Sequence, residues 1–362
     1  MKKKLLCTLL CTAFTGILLA GCAAADASKA VNAADGSGKK KAGSSDNDVY
    51  QLTVTSHDPR TSATGEFLEK WAASVKEASD GRLVILVHHN ASMADVNESY
   101  DYVLEGKTDI AWGLQSAYTD VFPVTGVFSL PLLDINNAVQ GSEAIWNFYN
   151  ETDYMDSEYE PFHVLLLHTN CQSPICTVSK RVENTEELAS MQIRANSGPA
   201  SLLVQNFGTE PISVPITDLY SALGRGACNA AITDWHAIRS FALNGVCHHF
   251  LDENIGVSTY FMLMNQDSYD SLPADLQKIL DETSAAAIGY TDIWNDYEKE
   301  VRKLITDVDP HAIYKLKSEE EKKLQDAAEQ TAEQWIREMD EKGYDGRAIY
   351  EKAVECIKAV KE

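Results

Sequence analysis

Residues 192–235 read "QIRANSGPASLLVQNFGTEPISVPITDLYSALGRGACNAAITDW" and decide the fold class. The runs "QIRAN" (192–196) and "CNAAITDW" (228–235) are short and largely apolar, as is typical of strands. Between them, "PASLLVQNFG" (199–208) and "TDLYSALGRG" (217–226) carry the apolar spacing of helices. Strands that alternate with helices over short connections predict an α/β fold with mainly parallel sheets.

One residue in the first of these strands, Arg194, has no acidic neighbour in the sequence. Arginine is rarely buried without a partner. Its partner is therefore either a distant carboxylate of the protein or a group that comes from outside.

The same alternation continues on both sides of this stretch. Further strands are predicted at 50–56, 82–89, 108–114, 162–170 and 258–265, and further helices at 62–81, 98–107 and 184–191. The continuous run "RLVILVHH" (82–89) predicts a strand that is covered on both faces. From about Pro273 onward the chain is almost entirely helical, most clearly over 318–343.

The amino terminus has the layout of a secreted lipoprotein. Three lysines precede the apolar run "LLCTLLCTAFTGILLAG", so residues 1–21 are predicted to be a signal peptide. The ending "LAGC" resembles the lipobox of bacterial lipoproteins, in which Cys22 becomes the lipidated first residue; the alternative is an ordinary signal peptide that carries a cysteine. Residues 22–48 are rich in Ala, Ser, Gly, Lys and Asp and predict a flexible tether.

Charge and cysteine content narrow the function classes. Without the three leader lysines, 28 basic residues face 54 acidic ones, a net charge of −26. Such acidity argues against nucleic-acid binding, so we expect no nucleic-acid partner. Five cysteines follow Cys22, so at least one has no intramolecular partner; Cys171–Cys176 and Cys228–Cys247 are both possible disulfides.

No motif for enzyme chemistry is present. The chain has no G-x-S-x-G, no H-E-x-x-H and no glycine loop that would cradle phosphate. The pair His88-His89 and the run 247–249 hold adjacent residues, which point to opposite sides of an extended segment and do not converge on one ion. We therefore expect no enzyme, no cofactor and no metal.

Several segments together resemble one protein family. In this order and spacing they are similar to the solute-binding proteins of TRAP (tripartite ATP-independent periplasmic) transporters, of the dicarboxylate-receptor (DctP) type. The similarity runs from about Tyr50 to Gln277. It is carried by a G-x-T/V-D-I/M-A element at Gly106–Ala111, F-x-L-P at Phe128–Pro131, a K-x-R-like element at Gln192–Arg194, and V-P-x-x-D/E-x-Y-x-A-L at Val214–Leu223.

The resemblance implies two α/β lobes with one ligand cleft between them and long helices spanning both. Lobe I would comprise residues 49–168 and lobe II residues 169–257. Residues 258–362 would return to lobe I and form the C-terminal helices. Arg194 matches the family arginine that holds the ligand carboxylate in a two-pronged salt bridge, which a guanidinium makes and an ammonium does not.

Further ligand contacts are expected near the cleft. Trp112 and Tyr118 lie on and after the strand at 108–114, where the chain leaves the sheet toward its usual ligand edge, and His57 has a similar place after the first strand. A core position is the alternative for all three. Asn196 would support Arg194 or touch the ligand, or instead form a turn before Gly198.

The chain departs from the family in two places that bear on the ligand. Many members carry a second arginine where this chain has "TNCQSPICTVSK" (169–180), and an asparagine where it has Thr233-Asp234-Trp235-His236. A second ligand carboxylate would then be buried without a partner, next to Asp234. Trp235 would supply a flat wall opposite Trp112, unless it fills the core, and Asp234 or His236 would bond a hydroxyl or amine.

The sequence thus predicts an extracytoplasmic, lipid-anchored receptor for a small monocarboxylic acid with an apolar or aromatic body. Its other partners would be the small and large TRAP membrane subunits. Two alternatives stay open: a binding lipoprotein of an ABC transporter, and a surface lipoprotein or enzyme that uses the cleft for another purpose.

Lipidation of Cys22 is directly testable. Radiolabelled palmitate should enter the wild-type protein and not Cys22→Ala, because the lipobox cysteine is the acceptor. Cys11→Ala, changed inside the leader, should label normally. Equal labelling of the wild type and Cys22→Ala would remove the anchor.

Overall fold

The computed structural model describes residues 48–195 and 198–360. The strands are β1 (Tyr50–Thr55), β2 (Leu83–His88), β3 (Ile110–Leu114), β4 (Phe162–Thr169), β5 (Ile175–Thr177), β6 (Ile193–Arg194), β7 (Ala230–Ile232), β8 (His249–Leu251), β9 (Thr259–Asn265) and β10 (Ile313–Tyr314). The helices are α1 (Ala63–Ala78), α2 (Ser99–Leu104), α3 (Ala138–Glu151), α4 (Asp156–Tyr159), α5 (Thr185–Ala189), α6 (Pro199–Asn206), α7 (Ile216–Gly224), α8 (Trp235–Ser240), α9 (Gln266–Asp270), α10 (Ala274–Ala286), α11 (Asp292–Val308), α12 (Ser318–Glu341) and α13 (Gly346–Ala359).

The strands form two five-stranded sheets, which define a first and a second lobe. The first sheet has the order β2-β1-β3-β9-β4 and the second has the order β10-β8-β5-β7-β6. The chain leaves the first sheet after β4 and returns to it as β9, which lies antiparallel between β3 and β4. The α/β class is confirmed.

The expectation of mainly parallel sheets is wrong. In the first sheet β1 pairs in parallel with β2 and β3, whereas both pairings of β9 are antiparallel. In the second sheet β5 is antiparallel to both β7 and β8. These antiparallel pairings arise because the chain reverses direction at each passage between the sheets. The amino-acid composition of the strands does not indicate where such reversals occur.

Helix α1 forms where the sequence predicts it, because its start, face and end agree. Ser62 caps its first turn by accepting a hydrogen bond from Gly65 N. Phe67, Trp71 and Val75 share one fully buried face. After its end, Asp80 and Gly81 have left-handed backbone angles, with φ of 52° and 80°.

Strand β2 departs from its prediction. It lies at the edge of the first sheet, and Leu86 in its middle is 40% exposed. The strand is therefore not covered on both faces. A continuous apolar run fits an edge strand as well as a central one, so composition could not separate the two.

Each sheet is covered by apolar side chains on both faces. In β3, Trp112 packs into one core of the first lobe and Ala111 into the other. In β7 of the second lobe, Ile232 likewise packs into one core and Ala231 into the other. The alternation follows from the two-residue period of a strand, and it places neighbouring residues of one strand in different environments.

Two long helices connect the cores of the lobes. Trp294 at the start of α11 belongs to a core of the first lobe, while Ile305 near its end belongs to a core of the second. Helix α12 runs the other way, with Leu324 in the second lobe and Trp335 in the first. Both helices therefore span the lobes, as the resemblance implies.

Two further features concern the predicted membrane and cysteine chemistry. Among the described residues, the structure has no helix that is both long and apolar enough to cross a membrane. The five cysteines after Cys22 all lie in the described part of the chain, and each is buried as a free thiol. Neither of the two possible disulfides is formed in the structure.

The packing of α3 on β4 gives a stability prediction. A Cβ at Gly141 would lie against the Thr169 hydroxyl and 2.8 Å from Ile135 Cγ2, both in a packed region. Gly141→Ala should therefore lower the free energy of unfolding by about 1–3 kcal/mol, although alanine favours a helix. The measurement is urea unfolding followed by circular dichroism.

Gly289→Ala is the matched control, because a Cβ there would have no heavy atom within 4 Å. This variant should match or slightly exceed the wild type. Equal stability of Gly141→Ala and Gly289→Ala would show that the α3–β4 contact is looser than described.

Candidate functional site

One cavity lies between the two lobes and takes side chains from both. The first lobe contributes residues that follow β1 and residues of β3, and the second lobe contributes residues around β6, β7 and α8. Its ionisable lining residues are His57, Asp58, Arg194, Asp234, His236 and Tyr260. The apolar ones include Trp112, Leu114, Ile216, Ile232, Phe241 and Val257.

Arg194 is held in place by backbone oxygens. It stands in β6, in register with Ala231 of β7, and its side chain is on the face opposite Ile193. Its Nε donates to Val214 O at 2.9 Å and its Nη1 donates to Ile232 O at 3.3 Å. These two carbonyl groups fix the plane of the guanidinium next to the cavity.

This guanidinium is a buried cation without an acidic partner. Arg194 is 2% exposed, and no carboxylate of the described residues lies within ion-pair distance of it. Burial lowers its pKa to about 10, which leaves it charged at neutral pH. Buried charges are normally paired, so this position favours an anion that enters the cavity.

Trp112 presents a rigid aromatic face to the cavity. Its indole Nε1 donates to His168 Nε2 at 2.9 Å, and its ring stacks on Tyr260 with centroids 4.7 Å apart. Burial lowers the pKa of His168 to about 4, so His168 is neutral and able to accept this bond. Trp112 therefore belongs both to the core and to the cavity wall.

His57 and Asp58 follow β1 and enter the cavity from the first lobe. His57 Nε2 lies 3.4 Å from Asp58 Oδ1, and the ring of His57 lies 5.3 Å from that of Trp112. Asp58 accepts a hydrogen bond from Thr64 Oγ1 through Oδ2 at 2.5 Å. Burial lowers the pKa of His57, although Asp58 opposes this effect.

Asp234 and His236 enter from the second lobe. Asp234 is the N-cap of α8, because its Oδ1 accepts from Ala237 N at 2.9 Å. His236 Nδ1 lies 3.5 Å from this carboxylate, and its Nε2 lies 3.7 Å from Asp58 Oδ2 across the cavity. Burial acts to lower the pKa of His236, but Asp234 and Asp58 outweigh it and the pKa is raised.

Five predicted residues therefore line one cavity, while two others do not. Trp235 is fully buried, packs on Phe250 and lies under the guanidinium of Arg302 at 4.2 Å, so it is a core residue and not a wall for the ligand. The strand predicted at 228–235 ends at Ile232. Because α8 begins at Trp235, the side chain points into the core of the second lobe.

Tyr118 also lies away from the cavity. Its hydroxyl accepts from Tyr100 N at 3.2 Å, and its ring packs on Phe261 in the first lobe. The predicted positions Asn196 and Cys22 lie outside the described residues.

Comparison with known proteins agrees with this geometry. Residues 54–338 match the bacterial extracellular solute-binding proteins, family 7, known as DctP. The chain belongs to this family. It is a bacterial extracellular solute-binding protein. A solute-binding protein of Albidiferax ferrireducens is 22% identical over 224 residues, which is 60% of this chain and 65% of that protein.

Solved structures of TRAP solute-binding proteins share the fold. A marine metagenome protein in complex with 3-hydroxybenzoate has a TM-score of 0.82 at 21% identity, covering 87% of this chain and 100% of that one. A Rhodoferax ferrireducens protein with copurified benzoate has a TM-score of 0.80 at 22% identity, covering 86% and 98%. A Bordetella bronchiseptica protein with bound mandelate has a TM-score of 0.79 at 21% identity, covering 86% and 100%.

Two ionisable lining residues of this DctP-type protein were missed from the sequence. Asp58 is adjacent to the predicted His57, and its place at the end of β1 was the signal that could have identified it. Tyr260 comes from β9, and its hydroxyl accepts from Asn170 Nδ2 at 3.1 Å. Nothing local marks Tyr260, because it reaches the cavity only through the pairing of β9 with β3.

The capping role of Asp234 can be measured. Asp234→Ala should lower the free energy of unfolding by about 0.5–2 kcal/mol, because Ala237 N loses its acceptor. Asp234→Asn keeps an acceptor oxygen and should lose much less. The measurement is urea unfolding, with the exposed Asp120→Ala as a surface control expected to stay within about 0.5 kcal/mol of wild type. Equal losses for Asp234→Ala and Asp234→Asn would assign the effect to charge and not to capping.

Proposed function

We propose that this chain is the extracytoplasmic receptor of a TRAP transporter and captures a monocarboxylic acid with an apolar or aromatic body. Arg194 binds the carboxylate, and the acid lies in the cavity between the lobes. The observation that carries the proposal is the buried guanidinium of Arg194, which borders this cavity and has no ion-pair partner among the described residues. Its planar fork suits a carboxylate, which accepts two parallel hydrogen bonds.

The charges of the lining favour one carboxylate over two. The cavity holds a single arginine together with Asp58 and Asp234, both less than 5% exposed. A second ligand carboxylate would enter a region that already contains two buried acids, where like charges repel strongly. This arrangement supports a monocarboxylate and disfavours a succinate-like diacid.

The remaining walls suit an apolar or aromatic body. Trp112 offers a ring face, and the aliphatic residues Leu114, Ile216 and Val257 surround the same space. The bound acids of three solved relatives, 3-hydroxybenzoate, benzoate and mandelate, are all aromatic monocarboxylates. Trp112 takes the role that the sequence assigned jointly to Trp112 and Trp235.

The receptor would deliver its ligand to a small and a large TRAP membrane subunit from a lipid anchor at Cys22. The tether at 22–48 would give the binding body reach from the membrane surface. Neighbouring genes for these two subunits would separate this proposal from an ABC-type receptor. A role as a receptor that binds its solute without catalysing a reaction fits this family of solute-binding proteins.

A binding experiment tests the role of Arg194. Isothermal titration calorimetry with benzoate, 3-hydroxybenzoate, mandelate and succinate should show tight binding of at least one aromatic acid and weak binding of succinate. Arg194→Ala should then lose about 2–5 kcal/mol of binding free energy, because a desolvated charge pair is broken. Arg194→Lys should also bind poorly, because the charge remains but the fork is lost.

Arg181→Ala is the matched control, since Arg181 belongs to the same lobe but stacks on Tyr314 at a distance from the cavity. This variant should bind like the wild type. Undiminished binding by Arg194→Ala would overturn the clamp, and preferential binding of succinate would overturn the monocarboxylate.

A further inference from the structure

The two buried carboxylates of the cavity differ in how well they are satisfied. Asp234 caps α8 and has His236 beside it, so its role in the second lobe is accounted for. Asp58 receives one hydrogen bond, from Thr64 to Oδ2. His57 Nε2 lies 3.4 Å from its Oδ1 and His236 Nε2 lies 3.7 Å from its Oδ2, both too far for a good hydrogen bond.

A carboxylate has about four acceptor positions, and leaving one buried without donors is costly. Asp58 is 2% exposed, so bulk water does not supply the missing donors. Its backbone is also fixed, because Asp58 O accepts from Asn90 N at 2.9 Å and Asp58 N donates to Ser56 Oγ at 3.2 Å. The acceptor is therefore held at one place on the cavity wall.

The flanking histidines leave ring nitrogens without partners as well. His57 Nδ1 and both ring nitrogens of His236 are buried and form no hydrogen bond with the described residues. These residues are 4% and 2% exposed, and both line the cavity. Unsatisfied polar groups of this kind, gathered around one carboxylate, point to a polar group supplied by a ligand.

We propose that Asp58, between His57 and His236, is a second recognition point for a hydrogen-bond donor on the ligand. This inference rests on the proposed function: Arg194 binds the carboxylate, and Asp58 binds a hydroxyl or ammonium group elsewhere on the same molecule. The preferred ligand is thus a hydroxy- or amino-substituted monocarboxylic acid rather than the unsubstituted acid. The charge of Asp58 strengthens a bond from either donor.

The pKa values of the two histidines are shifted in opposite directions, which is consistent with this assignment. Asp234 and Asp58 outweigh burial and raise the pKa of His236, whereas burial lowers the pKa of His57. Among the described residues, no group of three or more His, Cys, Asp and Glu is placed to hold a metal ion.

Paired ligands test the proposal by calorimetry. The probes are benzoate, phenylacetate, the three monohydroxybenzoates, 3-aminobenzoate and mandelate. For wild type, the best donor-bearing acid should bind at least tenfold more tightly than its unsubstituted parent. Asp58→Ala should reduce this ratio to within threefold. Asp58→Asn retains an acceptor for Thr64 and should reduce the ratio at least fivefold. This second variant keeps the test usable if Asp58→Ala does not fold.

The exposed Asp120→Asn, a change of the same chemistry elsewhere in the first lobe, should leave the ratio unchanged. If the parent acids bind and no substituted acid binds at least tenfold more tightly than its parent, the second recognition point is wrong and the receptor proposal stands. The second recognition point is equally wrong if Asp58→Asn weakens parent and substituted acids to the same extent. If no acid of the panel binds the wild type, the monocarboxylate proposal and this inference fail together.

Discussion

The site depends on one electrostatic constraint, a guanidinium that is removed from water with no carboxylate of the described residues within ion-pair distance. Taking such a charge out of water costs several kcal/mol, and two carbonyl oxygens return only part of that. Three separate segments of the fold hold the guanidinium of Arg194 in place and offset part of this cost. β6 carries the residue, β7 is its parallel neighbour and supplies the carbonyl of Ile232, and the segment before α7 supplies the carbonyl of Val214. The packing of the second lobe thus fixes the cation before any ligand is present, which reduces the ordering cost of binding.

The other half of the cavity is fixed by the first lobe through a different set of contacts. Trp112 stacks on Tyr260 and donates a hydrogen bond to the neutral His168, and the loop that follows β1 is tied to the turn at Asn90. These two halves are connected by the β4 and β9 passages and by the helices α11 and α12, and each of the two helices packs into a core of both lobes. A side chain on either side of the cavity therefore has a defined position because four chain segments cross between the sheets.

The sequence predicted those features that are encoded locally. Helix α1 was predictable because Ser62, the apolar face and the Asp80-Gly81 stop all agree. The position of Trp235 was not predicted correctly, although the order Thr233-Asp234-Trp235 contained an N-cap signal that favours a helix start over a longer strand. The status of β2 as an edge strand and the arrival of Tyr260 in the cavity depend on which strands become neighbours. Such pairing is set by contacts between residues far apart in sequence, which no local pattern records.

The arrangement of opposite charges explains how one family fold can serve different acids. In the proposed binding mode, Arg194 supplies the interaction that any carboxylate would make, so by itself it distinguishes acids from other solutes and not one acid from another. Discrimination needs buried polar groups that lose their partner when the wrong ligand enters. Here those groups, Asp58 and His57, come from the first lobe, while Arg194 comes from the second. A ligand that satisfies both ends must join the two lobes, so selectivity and the alignment of the lobes are coupled through the same molecule.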